Sequence, residues 1–178
     1  MTPNVSFALL DAAVIAGRGD EPVVSTDGRT WSYARLLEEV AALGGVLRHL
    51  GIGTGVPCVV DLVDDLDAVV AALATARIGG VVTTIDDAAA PAVVVSAGSS
   101  LSGDGRVRLV RGAGGTVPEP DLDWVVMIRA GRTDPAASRV LDPGSSYSRE
   151  RSVAEQIAVL EDSAPPYDAA ELRRLLQV

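Results

Sequence analysis

Four aspartates stand close together at Asp61, Asp64, Asp65 and Asp67, at the end of the β-branched run Val56–Val63 and just beyond it. If that run is a parallel strand, they lie at its carboxyl end, where α/β folds gather ligands. Asp61, Asp64 or Asp65 would then be candidates for general acid or base work. The same spacing also suits a helix start, with Asp64 as N-cap and acids in the first turn, where the helix dipole favours negative charge. A second group, Arg129, Arg132 and Arg139, lies in a stretch rich in Gly, Pro, Ser and Asp. Forked guanidiniums there could hold a carboxylate or phosphate, or simply be solvated.

Other chemistries find little support. His49 is the only histidine and Cys58 the only cysteine, so no zinc-type cluster is available and no metal site is assigned. Without a second histidine, a Ser/His/Asp set could be assembled only by arbitrary choice. His49 reads as a surface or capping residue near a helix end, and Cys58, in a Val-rich run, as a buried structural residue. The chain contains no lysine; all 15 basic residues are arginines.

Composition narrows the classes further. A net charge of −9 repels phosphate backbones, and the arginines form no aromatic-interleaved stripe, so nucleic acid is not an expected partner. The apolar stretches are too short to span a bilayer, and the N-terminus lacks the charged and apolar regions of a signal peptide, so a cytoplasmic protein is expected. Apolar residues make up 48% of the chain but aromatics only 3%, which leaves Val, Ala and Leu to fill a core of the parallel α/β kind.

These residues need a scaffold. Apolar spacing predicts a helix over 6–16, a strand from Pro22 into the Asp27-Gly28 turn, and a long helix from Ser32 to the glycines at 51–55. A strand over 56–63, a helix over 66–78 and a strand over 81–85 imply a parallel crossover. Short strands are expected at 92–96, 107–110 and 124–129, joined in part by the Gly-rich connectors 98–105 and 112–115. The expected fold is α/β, a mostly parallel sheet of about five strands with helices on both faces. Residues 129–147 read as a long loop. Helices follow from about Arg149 to Leu160 and after a capping box at Asp168 and Glu171. The division is thus 1–128 for the α/β body and 129–178 for a loop and helical extension packed on it.

Between Arg29 and Asp86 the order of residues resembles the N-terminal subdomain of the adenylate-forming superfamily, which includes acyl-CoA synthetases and nonribosomal peptide synthetase adenylation domains. Thr30-Trp31-Ser32-Tyr33 with Leu36 resembles the family's Thr-Tyr-x-x-Leu, and Leu50-Gly-Ile-Gly-Thr-Gly55 its Leu-Gly-Val-Gly-x-Gly. Ala74-Thr-Ala-Arg-Ile-Gly-Gly-Val81 with Thr84-Ile-Asp86 resembles Ala-x-x-x-Ala-Gly-Ala-x-x-x-Pro-Leu-Asp. These are scaffold residues. The family's next landmark is a strand and a Ser/Thr/Gly-rich loop closed by Pro-Lys-Gly, which wraps a triphosphate. At the corresponding place, Asp123 to Asp134, only Gly131 and Thr133 fit that pattern, and Asp134 adds a charge that repels phosphate. Alternatively, this segment does not correspond to that loop.

The resemblance therefore implies retained scaffold without the adenylating chemistry. Arg129, Gly131, Arg132 and Thr133 remain ligand-binding candidates, and no cofactor is expected. The first reading is a non-catalytic relative that binds a protein, with a carrier protein, a synthetase or a second copy as partner, in specialised metabolism. The second is a small enzyme using the acids at the strand ends. The third is a split subunit completing an adenylating enzyme.

Overall fold

The computed structural model describes residues 4–101, 103–114 and 117–178, so Ser102 and Gly115 of the two Gly-rich connectors lie outside the described residues. The chain begins with a π-helical turn, Phe7–Asp11, running into α1, Ala12–Ile15. Strands β1, Pro22–Thr26, and β2, Arg29–Ser32, form an antiparallel hairpin. Its tip needs left-handed backbone at two successive residues, and Asp27 (φ 47°) and Gly28 (φ 73°) supply it. Ser32 then caps α2, Tyr33–His49, by accepting a hydrogen bond from the Arg35 N–H.

Five parallel strands follow, with α3 between the first two. They are β3, Pro57–Asp61; β4, Val81–Thr83; β5, Ala92–Ser96; β6, Val107–Arg111; and β7, Leu122–Asp123. Their order across the sheet is β4-β3-β5-β6-β7. Helix α3, Asp65–Arg77, connects β3 to β4 and packs on α2. The alternation of strand side chains sorts the core. Cys58, Val60, Val94 and Leu109 join the main cluster, to which α2, α3 and the later helices all contribute. Val59, Val93, Val95 and Val110 face the other way and are closed over by Ala90 with Leu101, Ala113 and Val117. The five-stranded parallel α/β architecture thus holds, with the helical cover on the first face and loop residues on the second.

Residues 124–129 are not a strand. Trp124–Gly131 forms helix α4, and the fifth strand is the two-residue β7 just before it. Asp123 caps α4 through the Val126 N–H, while Trp124, Ile128 and Gly131 point inward at helical spacing. The β-branched pair Val125 and Val126 is exposed, so its strand preference is not tested by packing. The expected loop starts correspondingly later, and its backbone is pinned by bonds from the Ala136 N–H to the Ala41 carbonyl and from the Arg139 N–H to the Arg77 carbonyl.

The C-terminal extension is woven into the body. Helix α5, Val153–Glu161, starts later than Arg149 because Ser152 and Glu155 form a full capping box. Strand β8, Tyr167–Asp168, pairs parallel with β1 and completes a second sheet of order β2-β1-β8, which the sequence reading did not foresee. Helix α6, Ala169–Leu175, follows with Asp168 as its cap, bonded to the Ala170 N–H. It packs on α3, and the buried Tyr147 hydroxyl donates to the Leu176 carbonyl. Burial pushes the Tyr147 phenol well above its usual range.

Candidate functional site

The acids at the strand ends are each engaged. Asp61 accepts a 2.5 Å hydrogen bond from the Ser99 hydroxyl. Asp64 caps α3, accepting from the Asp67 N–H at 2.9 Å. Asp65 pairs with Arg173 of α6 at 2.8 Å, and Asp67 with Arg111 of β6 at 2.7 Å. Asp64, Asp65 and Asp67 border one open hollow of about 610 Å³ with Asp27, Ser96 and Arg111. Neutralising guanidiniums and a helix N-terminus account for these carboxylates, which is what structural acids need. Among the described residues, no three His, Cys, Asp or Glu side chains converge as a metal-holding group.

The segment 129–134 separates into two roles. Gly131 is buried at the seam between α4 and α2, where a Cβ would overlap the carbonyl of Ala42. Thr133 donates to the Ala130 carbonyl at 2.6 Å, finishing the helix. Asp134 is held by Arg48 at 2.7 Å and His49 at 3.0 Å, at the end of α2. Arg48 first, then His49, keep the Asp134 carboxyl below its usual range. Gly131 is thus closed off, while Thr133 is exposed with its hydroxyl turned to the Ala130 carbonyl. Buried Cys58 is likewise inert, its thiol pushed up to about 11 by desolvation.

Arg129 and Arg132 do meet Asp67, in a cleft of about 280 Å³ between α2, α3 and α4. Glu39, Arg111 and both tryptophans of the chain, Trp31 and Trp124, complete its chemistry. Arg111 sits 5.6 Å from the Trp124 ring centroid and Arg35 4.1 Å from that of Trp31, both within cation–π range. Arg132 pairs with Glu39. Arg129 is exposed and holds no carboxylate among the described residues. Sequence reasoning missed Trp31, Trp124, Arg111 and Glu39. Their only local signal is that each tryptophan adjoins an N-cap, Ser32 after Trp31 and Asp123 before Trp124.

A parallel sheet preceded by a hairpin and carrying the α2–α3 pair makes an α/β module. The AMP-binding enzyme family model matches residues 11–97, a segment in which the chain is similar to adenylate-forming enzymes. It is 38% identical over 95 residues to an uncharacterized protein of Pseudomonas aeruginosa, a match covering 49% of this chain and 15% of that protein. It is 38% identical over 81 residues to the acetyl-coenzyme A synthetase of Streptomyces avermitilis, covering 43% of this chain and 12% of the synthetase. The structure is similar to the anthranilate CoA ligase AuaEII in complex with anthranoyl-AMP, with TM-score 0.66 and 15% identity over 82% of this chain and 31% of the ligase. It is also similar to a benzoate CoA ligase from Burkholderia xenovorans, with TM-score 0.64 and 16% identity over 92% of this chain and 37% of the ligase. At such identities the structural likeness is one of fold. No described helix is long and apolar enough to cross a membrane.

Proposed function

We propose that this chain is a non-catalytic, adenylation-domain-like module that works in the cytoplasm by binding a protein, with a carrier protein, a synthetase or a second copy of itself as the partner, in specialised metabolism. The observation that carries the reading is the fate of residues 123–134. Where the family's resemblance calls for a strand and an open phosphate loop, this chain has the packed helix α4. Gly131 is spent on close helix packing, and Asp134 is fixed by Arg48 and His49. Triphosphate wrapping needs an open loop of free backbone amides beside a cation. Here the Arg132, Thr133 and Asp134 amides are bonded at the end of α4, and Arg129, which holds no carboxylate among the described residues, projects from the helix and not from a loop. The engaged state of Asp61, Asp64, Asp65 and Asp67 gives no support to acid–base catalysis at the strand ends.

Titration calorimetry with ATP and magnesium is expected to show no saturable heat up to about millimolar ligand, where binding is worth roughly 4 kcal/mol. A micromolar dissociation constant would overturn the reading. Titration with purified carrier proteins and synthetases from the same source, together with sedimentation of the chain alone, is expected to reveal a saturable complex or a dimer. A monomer that binds none of them contradicts it.

A further inference from the structure

We propose that the cleft between Trp31 and Trp124, together with the free edge of β2, is a docking surface for an extended acidic peptide segment that inserts one aromatic or large aliphatic side chain. This rests on the protein-binding reading above and names the surface and the chemistry of the partner. Three independent features converge. The first is the strand edge. β2 is the terminal strand of the β2-β1-β8 sheet. In a hairpin with a two-residue tip, Thr26 and Arg29 exchange the first hydrogen bonds, so Thr30, opposite Ser25, directs its N–H and C=O away from β1. Thr30 is exposed, and its backbone makes no hydrogen bond outside its own sheet among those described. Such an edge can accept an added strand through main-chain bonds, with pockets for alternate side chains giving selectivity.

The second feature is the cleft. At about 280 Å³ it is large enough to take one large side chain. Trp31 is on β2 itself, and the cleft is floored by the buried Trp124 and Ile128. Val125, a lining residue, and its neighbour Val126 are exposed, extending an apolar rim along α4.

The third feature is charge. The chain carries −9 overall, yet the surroundings of this cleft are cationic. Within it, Arg111 and Arg132 are matched by Asp67 and Glu39. That leaves Arg129 unmatched in the lining and Arg35 over the Trp31 ring, while Arg29 projects from the same strand two residues from Trp31. Arg29, Arg35 and Arg129 hold no carboxylate among the described residues. Aromatic side chains in a pocket ringed by arginine are the composition of protein-binding hot spots, and unmatched guanidiniums at the rim select for acidic flanks.

The test uses the full chain. Random peptides displayed on phage are selected on the immobilised protein, and a synthetic peptide of the resulting consensus is titrated while tryptophan emission is followed. Because the only two tryptophans both line the cleft, emission reports binding at this place. The expected consensus is net negative around one aromatic or large aliphatic residue. Arg129→Glu should weaken it by about tenfold or more. Thr30→Pro, which removes the outward N–H but is tolerated on a strand edge, should do the same, with the unfolding midpoint of each variant checked alongside. Where Thr30→Pro lowers that midpoint, the same peptide N-methylated along its backbone replaces it, and weakened binding is again expected. No enriched peptide, an enriched set without acidic bias, or a peptide that binds Arg129→Glu as it binds the parent chain overturns the proposal. So does a dimer that uses this face and is not displaced by the peptide. Peptides that bind elsewhere remove this surface but leave the protein-binding reading in place, since that reading falls with micromolar ATP binding.

Discussion

Replacing Arg77 with alanine should cost about 3–5 kcal/mol of stability, the range for breaking one side of a buried ion pair. Arg77 closes α3 and is almost entirely buried at 6% exposure. Its guanidinium donates to both carboxylate oxygens of Asp11 at 2.7 and 3.0 Å, to the Ser6 hydroxyl at 3.3 Å and to the Ala136 carbonyl at 2.6 Å. It therefore ties the first helical segment, α3 and the loop after α4 together at one point. Asn4 strengthens the same junction by donating to the carbonyls of Ala76, Arg77 and Arg139. Truncation leaves Asp11 charged and nearly enclosed, with no cation to offset its desolvation. Since domains of this kind are stable by only about 5–15 kcal/mol, the loss is a large share of the total. Urea unfolding measures it as a lower midpoint at unchanged slope. A loss below about 1 kcal/mol would show that the junction is not energetically central. The double replacement Asp11→Leu with Arg77→Met should recover much of the deficit, because apolar groups of similar volume need no counter-charge.

Gly131→Ala is the second large effect, expected to destabilise by at least about 1–3 kcal/mol through overpacking. A Cβ at Gly131 meets the Ala42 carbonyl of α2, a backbone atom that cannot rotate away. Gly45 is the reciprocal contact, its Cβ position overlapping the Asp134 carbonyl. Two glycines on facing elements thus let α4 and the start of the following loop approach α2 backbone to backbone. The added methyl should push α4 outward and disturb the Trp124 environment. Loss of near-ultraviolet circular dichroism together with a lowered midpoint is the expected result; an unchanged midpoint would mean that the seam has slack. Gly53, with open space around it and ordinary backbone, should accept alanine with little change and serves as the control.

The contrast between these residues separates what is local from what is not. Helices α2 and α3 were legible because long apolar repeats coincide with caps at Ser32 and Asp64 and with glycine stops. The β3 and β5 strands are legible because short valine-rich runs covered on both faces have few alternatives. Residues 124–129, expected as a strand, are helical instead, because a short apolar run carries no decisive period and the β-branched Val125 and Val126 face solvent. The two-residue strand β8 had no signal of its own. It exists because β1 offers a partner edge once the chain has returned from α5.

The α/β class, the similarity to adenylate-forming enzymes, the absence of lysine and the acidic balance all follow from residue identity and local order. Which charges are spent and which are free follows only from the packed chain. Asp65 met Arg173, Asp67 met Arg111 and Asp134 met Arg48 across separations of 108, 44 and 86 residues. Packing also brought Trp31 and Trp124, on separate elements, to one cleft beside Arg129. Ion pairing and cleft formation act over a few ångströms of space, and distance along the chain does not encode distance in space until the core has packed.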